Sequence, residues 1–169
     1  MNLVLPMTLG DAVAAASAPR LADLLGTVFH TEPGKAYRLV KLASANFGTG
    51  SGADAAKNKV FEWSDRSNWT VVPAAQATDR ICGVSVSQQV NLLVGDIFLV
   101  QIKGRCTLTC ASDGASVAGE YVIPDDDTDK GKVTSGSTTY TEGVDFAQAL
   151  ETQATGDGTF AAEIVKELN

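Results

Sequence analysis

The sequence predicts a mainly β protein: a compact β-barrel or β-sandwich body preceded by an extended, partly helical N-terminal arm. Three observations lead there. Glycine is frequent (16 in 169 residues) and aromatic residues make up only 7%, a mixture that favours many turns over long packed helices. Short β-rich runs recur along the chain between Gly, Asp and Ser turns, as in sandwiches and barrels. One stretch, "GDIFLVQIKGRCTLTC" (95–110), alternates apolar and polar residues over nearly its whole length.

The arm comprises residues 1–33 and the body residues 34–169. "MNLVLPMTLG" reads as extended, because Pro6 does not fit inside a helix. Leu3, Val4, Leu5, Met7 and Leu9 make it apolar although it is too small to form its own core. "GDAVAAASAPRLADLLGTVF" (10–29) has Ala-rich helical propensity, broken at Pro19 and ended near Gly26. Leu21, Leu24 and Leu25 fall at helical spacing, so a short helix around 18–25 can dock on something. The arm either packs back on the body or lies along a partner.

In the body, "GKAYRLVKL" (34–42) is a strand with Tyr37, Leu39 and Lys41 on one side and Arg38, Val40 and Leu42 on the other; its sides are not cleanly sorted. "SANFGTGSGADAAKN" (44–58) is a glycine-rich loop. "KVFEWSDRSNWTVV" (59–72) is a hairpin around Ser64–Asn68, with Trp63 and Trp69 flanking the turn for cross-strand packing. In 95–110, Phe98, Val100, Ile102, Cys106, Leu108 and Cys110 share the even-numbered face. Gln101, Lys103, Arg105, Thr107 and Thr109 line the other. The parity survives Gly104, so either the strand runs on or a tight turn preserves its two sides. Further strands are expected at 82–90, 118–123, 131–134 and 158–165, and "GVDFAQALE" (143–151) is a small helix or a strand-entry loop.

Charge and motifs narrow the function classes. A net charge of −7 and a pI near 4.6 disfavour nucleic acid as a partner, since neutralising phosphates needs clustered Lys and Arg. No apolar run approaches the ~18 residues that cross a bilayer, so no membrane partner is expected. The N-terminal stretch resembles a secretion signal only superficially: it lacks a basic residue before its apolar part, which Pro6, Gly10 and Asp11 interrupt. Cys106 and Cys110 stand about 13 Å apart along one strand, too far to bridge. Cys82 could pair with either, but an odd count fits three small buried apolar residues in a reducing compartment better.

For chemistry the sequence offers little. His30, the one histidine, has no marked nucleophile or orienting group beside it and reads as a surface or structural residue. "GTGSG" (48–52) lacks the Gly-Lys-Ser/Thr of a phosphate loop. "PDDDTDKG" (124–131) alternates Asp125, Asp127 and Asp129 as a calcium loop does. It has Lys130 where such a loop needs glycine and Gly136 where it needs glutamate, so a solvated turn is the default. "NWT" (68–70) is formally a glycosylation acceptor. No catalytic residue, metal site or cofactor is expected.

A likeness does emerge from the order of modules. "LLGTVFHTEPGKAYRLVKLASA", "KVFEWSDRSNWTVVPA", "GVSVSQQVNLLVGDIFLVQIKGRCTL" and "GTFAAEIVKEL", together most of residues 24–168, resemble tailed-phage head decoration (capsid cement) proteins. The shared pattern is a leader ending in "LLGTV", a "G-x-x-Y-R-L-V-K" strand, a tryptophan hairpin and "G-D-x-x-x-V-Q-x-x-G". The resemblance implies a β-rich body on the outer surface of the virion capsid, assembled in the bacterial host. It implies binding across neighbouring major capsid subunits after shell expansion and resistance to internal DNA pressure. It implies self-association, often as a homotrimer with a dimer as the alternative, and no catalysis. The footprint is expected largely in residues 1–26, at Leu3, Val4, Leu5, Met7, Leu9, Leu21, Leu24 and Leu25. A carbohydrate- or receptor-binding β module on the virion surface, using Trp63 or Trp69, is the alternative.

Overall fold

A computed structural model describes residues 12–14, 19–30, 33–43, 56–75, 80–88, 92–112, 114–125, 131–142, 144–154, 158–165 and 168. Along these run β1 (Ala12–Ala14), α1 (Pro19–Ala22), β2 (Val28–Phe29), β3 (Ala36–Leu42), β4 (Val60–Asp65), β5 (Thr70–Pro73) and β6 (Ile81–Ser85). They are followed by β7 (Asp96–Thr109), β8 (Tyr121–Pro124), β9 (Val133–Ser137), β10 (Ala147–Ala149) and β11 (Thr159–Ile164). The fold is mainly β, as the alternation predicts.

Five strands settle the choice between sandwich and barrel. β3 lies parallel to β5, β5 antiparallel to β4, β4 to β6, β6 to β7, and β7 to β3 again, which closes a ring. Closure satisfies both sides of every strand and leaves no sheet edge at these positions. β7, 14 residues long, outlasts the barrel: its second half pairs with β11, and the order continues β11–β10–β8–β9. Cys110 then bridges Val133 of β9 in parallel, and the Ala111 N–H donates to the Val133 carbonyl at 2.9 Å. The second half of the molecule is thus a smaller ring closed by one bridge, and β7 is the wall common to both.

The change of partner along β7 occurs at Gly104. Ala36 faces Lys103 but Tyr37 faces Gln101, a register shift just before the strand passes from β3 to β11. Gly104 has φ +86°, and a Cβ there would stand 2.4 Å from the Gly34 carbonyl oxygen, so only glycine fits. The expected parity holds through it. Phe98, Val100, Ile102, Cys106, Leu108 and Cys110 all join one core cluster that runs from the barrel, with Phe61 and Val71, into the second ring, with Phe146 and Phe160.

A second, smaller core explains the unsorted strand at 34–42. Tyr37 and Leu39 on the outside of β3, with Ile97 and Leu99 of β7, are covered by Leu21 of α1 and Phe29 of β2. Both faces of β3 are therefore buried, and neither needs polar residues. The helix expected around 18–25 spans only Pro19–Ala22. Pro19 starts it instead of breaking it, since its missing N–H costs nothing in the first turn. After Ala22 the chain passes into turns: the Leu24 N–H donates to the Leu21 carbonyl and the Thr27 N–H to the Leu24 carbonyl, each at 3.0 Å. The chain turns at Gly26 (φ +81°), where a Cβ would lie 2.2 Å from the Trp69 indole. Its N–H donates to the Leu39 carbonyl at 2.8 Å. Residues 12–14 and 28–29 are thus joined to the body by β1–β7 and β2–β3 pairing.

The tryptophan hairpin forms as read. The Asp65 carboxylate accepts bonds from the Ser67 N–H (2.9 Å) and the Asn68 side-chain amide (2.6 Å), tightening the turn, and these donors hold its pKa below the usual value. Trp63 and Trp69 meet edge to face at 5.8 Å, and the Arg38 guanidinium lies 5.8 and 5.9 Å from their ring centres. Arg38 also donates to the Leu168 carbonyl at 3.2 Å. Elsewhere the boundaries move. The 143–151 segment, expected as helix or loop, contributes strand β10 between β8 and β11. The strands expected at 82–90, 118–123, 131–134 and 158–165 are β6, β8, β9 and β11 with shifted ends.

Candidate interaction site

The polar face of β7 is the place to look for a partner, because the other face is core. Lys103, Arg105 and Thr107 are exposed, whereas Gln101 and Thr109, on the same side, are buried. The Gln101 side chain braces the strand. Its Nε2 donates to the carbonyls of Lys103 and Arg105, each at 2.9 Å, and so straddles the kink at Gly104.

Around Gln101, Arg105 and Thr107 the fold leaves a cleft of about 650 Å³. Its walls come from both rings. Lys35 precedes β3, Lys57 and Asn58 precede β4, and Glu151 and Thr159 belong to the second ring. The Asn58 wall is fixed on both sides: its N–H donates to the Ser85 carbonyl at 2.9 Å, and its own carbonyl accepts from the Thr109 N–H at 3.1 Å. A positive φ of 66° at Asn58 makes this tight reversal, which asparagine tolerates. Arg105 and Glu151 approach to 3.9 Å across the mouth, both more than half exposed. The other Glu151 oxygen accepts the Ala161 N–H at 3.0 Å.

The cleft therefore presents charge and hydrogen-bonding groups on a rigid floor. Cys106 lines it but adds no nucleophile: burial, reinforced by the Glu163 carboxylate, pushes its thiol up to about 12, so it stays protonated at neutral pH. Burial likewise raises the Cys82 thiol, and all three cysteines are free and buried. His30 is exposed and is not part of the cleft.

The residues expected to bind a partner are scattered differently. Leu3, Val4, Leu5, Met7 and Leu9 lie outside the described residues. Leu21, expected as a contact for a partner, is 2% exposed and committed to the chain's own outer core, because β3 and β7 present an apolar wall that needs covering. Leu24 and Leu25 are half-buried against the same cluster. Trp63 is buried and Trp69 half-buried in the Gly26–Trp–Trp–Arg38 stack, so neither offers the open ring face that stacking on a sugar needs. Most of the acidic run 125–129 also lies outside the described residues; among the described ones no three His, Cys, Asp or Glu side chains are grouped to hold a metal ion. No described helix is long and apolar enough to cross a membrane. Sequence reasoning misses Lys57, Asn58 and Glu151, since no local motif marks residues that only topology brings together.

No protein-family model matches the chain, and no curated protein matches it. Among solved structures it is similar to the N base of the head fiber gp8.5 of bacteriophage phi29. The two share 14% identity over 79% of this chain and 96% of that one, with a TM-score of 0.49.

Proposed function

We propose that this chain is a structural protein of a tailed-phage head. Within that role we propose a decoration (cement) protein, bound to the outer surface of the expanded capsid across neighbouring major capsid subunits. One observation carries the reading. Most of the segments that give the sequence its likeness to cement proteins pack into the barrel, and the last, "GTFAAEIVKEL", supplies β11 of the second ring. The "LLGTV" leader seats Gly26 against Trp69, "GKAYRLVKL" is β3 with both faces buried, the tryptophan hairpin is β4–β5, and "GDIFLVQIKG" opens β7. The likeness thus follows the framework of the fold and is not scattered over loops.

A cement needs area and rigidity, and this chain has features of both kinds. The closed barrel braces β7, and the polar face of β7 remains open to solvent at Lys103, Arg105 and Thr107. Self-association, as a trimer or a dimer, multiplies a weak footprint, because after the first contact the others are effectively intramolecular. Residues 1–11 carry Leu3, Val4, Leu5, Met7 and Leu9, apolar side chains that add contact area on the lattice.

The test is to add the purified protein to empty, expanded heads of its phage. Saturable occupancy together with a higher temperature of head disruption is the expected result. Heads that bind none of it, or bind it with unchanged heat resistance, overturn the cement role. Removing residues 1–11 is expected to lower occupancy, and unchanged occupancy moves the footprint off the arm.

A further inference from the structure

We propose that the tyrosine pair on the second ring, Tyr121 and Tyr140, is the seat for an arginine from a basic segment of a partner protein. The seat is defined by its chemistry and does not require the partner to be a capsid subunit. The barrel shows what such a pair can hold. Trp63 and Trp69 meet at 5.8 Å with their planes at 66°, and the Arg38 guanidinium lies 5.8 and 5.9 Å from their ring centres. Tyr121 and Tyr140 repeat that edge-to-face arrangement at 5.2 Å and 64°. Among the described residues no arginine or lysine of this chain stacks on them, and Tyr140 is 37% exposed.

The backbone holds the pair in place. Tyr121 lies in β8, across from Ser137 of β9 and Gln148 of β10. The residues on either side of Tyr140 are tied down. The Thr139 N–H donates to Oγ of Ser137 at 2.9 Å, and the Thr141 N–H donates to the buried Asp145 carboxylate. The Asp145 N–H returns a bond to the Thr141 carbonyl at 3.0 Å. An exposed ring on a braced backbone has little freedom left to lose when a partner arrives.

Charge selects the occupant. Residues 1–102, which supply most of the barrel and its cover, carry eight Asp and Glu and eight Lys and Arg, whereas residues 103–169 carry twelve against five. The whole excess of −7 therefore belongs to the half of the chain that makes the second ring, even with Lys103 and Arg105 of β7 counted. Glu142, two residues past Tyr140, is exposed. Such a field draws in cations and repels nucleic acids and acidic peptides alike. Arginine suits the pair better than lysine, because its flat, weakly hydrated guanidinium stacks on an aromatic face.

The experiment uses the whole protein and two fluorescein-labelled octapeptides, one alternating Arg and Gly and one alternating Lys and Gly, read by anisotropy. The arginine peptide is expected to bind saturably and severalfold tighter than the lysine peptide. Tyr140→Ala is expected to weaken the arginine peptide about tenfold and to erase that preference. Tyr140→Phe, which keeps the ring, is expected to bind nearly as the parent does. Glu142→Lys is expected to weaken both peptides severalfold, while Asp23→Lys, the same change on the barrel side, leaves both nearly unchanged. Absence of saturable binding overturns the proposal. So does equal affinity for the two peptides, or an equal loss in Asp23→Lys, since bulk charge alone then explains the binding. Displacement of the arginine peptide by a neutral oligosaccharide at lower concentration than by unlabelled peptide also overturns it and makes the pair a sugar platform.

Discussion

The two rings that share β7 are built to different standards. In the barrel, strands of four to seven residues join β7 in a closed circuit of ladders, and its β3–β7 wall is covered on the outside by α1 and β2. In the second ring, strands of three to six residues follow one another from β11 to β9, and one bridge between Cys110 and Val133 completes the circuit. β9, "VTSGS", has a single buried residue, Val133. The barrel is therefore the scaffold, and the second ring is organised on it. What passes from one to the other is the even face of β7, a continuous row of core residues.

Removing a large side chain from the shared strand is the strongest test of that dependence. Phe98 is fully buried and meets Phe61 edge to face at 5.0 Å. Phe98→Ala is expected to cost about 3–5 kcal/mol, the usual range for a buried phenylalanine. Because the core is continuous, tryptophan fluorescence, which reports the barrel, and far-UV dichroism are expected to fall in one transition. Amide exchange in β10 and β11 is expected to accelerate together with that in β3. Phe160→Ala, in the second ring, is expected to accelerate exchange in β10 and β11 while leaving β3 closer to the parent. Unchanged exchange in β10 and β11 on Phe98→Ala breaks the comparison, since the rings then open as separate units.

A smaller loss is expected at the hinge between the rings. Gly104→Val places a branched side chain at φ +86° and against the Gly34 carbonyl. Strain and collision together are expected to cost about 2–4 kcal/mol by thermal or urea unfolding. Gly104→Ala is expected to cost somewhat less. A loss below about 1 kcal/mol for the valine variant shows that β7 bends there without needing glycine. Gly26→Ala tests the barrel's cover alone. Its methyl group collides with the Trp69 indole, and a loss of about 1–3 kcal/mol with a shift in tryptophan emission is expected. An unshifted spectrum shows that the leader moves aside and the Trp63–Trp69 pair stays put.

The same contrast explains which parts are legible in the sequence. β7 is readable because period two persists across Gly104, and the tryptophan hairpin because Asp65 and Asn68 mark its turn. β3 is readable as a strand but not as a two-faced one, since its outer apolar residues acquire a meaning only when Leu21 and Phe29 arrive from the leader. β10 is ambiguous because Val144, Ala147 and Leu150 also fit a helical face; pairing with β8 and β11 overrides that local preference. Closure of the barrel depends on β3–β5 and β3–β7, pairings distant in sequence that no local pattern encodes. The cleft is hidden for the same reason: Lys57, Arg105 and Glu151 come from three separate segments, and nothing near any of them announces the other two.

The weakest of these perturbations lies on the barrel wall that α1 and β2 leave uncovered. Glu62 of β4 is half-buried on the outside, where the covered wall carries Leu39 and Leu99 instead. Burial raises its pKa, and the Arg80 charge offsets part of the rise. A carboxyl group with a raised folded-state pKa holds its proton more tightly in the native protein than in the unfolded chain. Its favourable contribution is therefore present at low pH and is lost as pH rises from the ordinary carboxylate range through the folded-state value. Glu62→Gln removes that titration. The variant is expected to be slightly more stable than the parent at pH 7, with the gap closing below pH ~4. The difference is expected within about 0.5 kcal/mol, because water screens a half-exposed group. Urea unfolding of both proteins across this pH range measures the gap. A variant less stable than the parent at neutral pH reverses the sign: attraction to Arg80 then outweighs burial, and the uncovered wall is held by charge, unlike the apolar wall beneath α1.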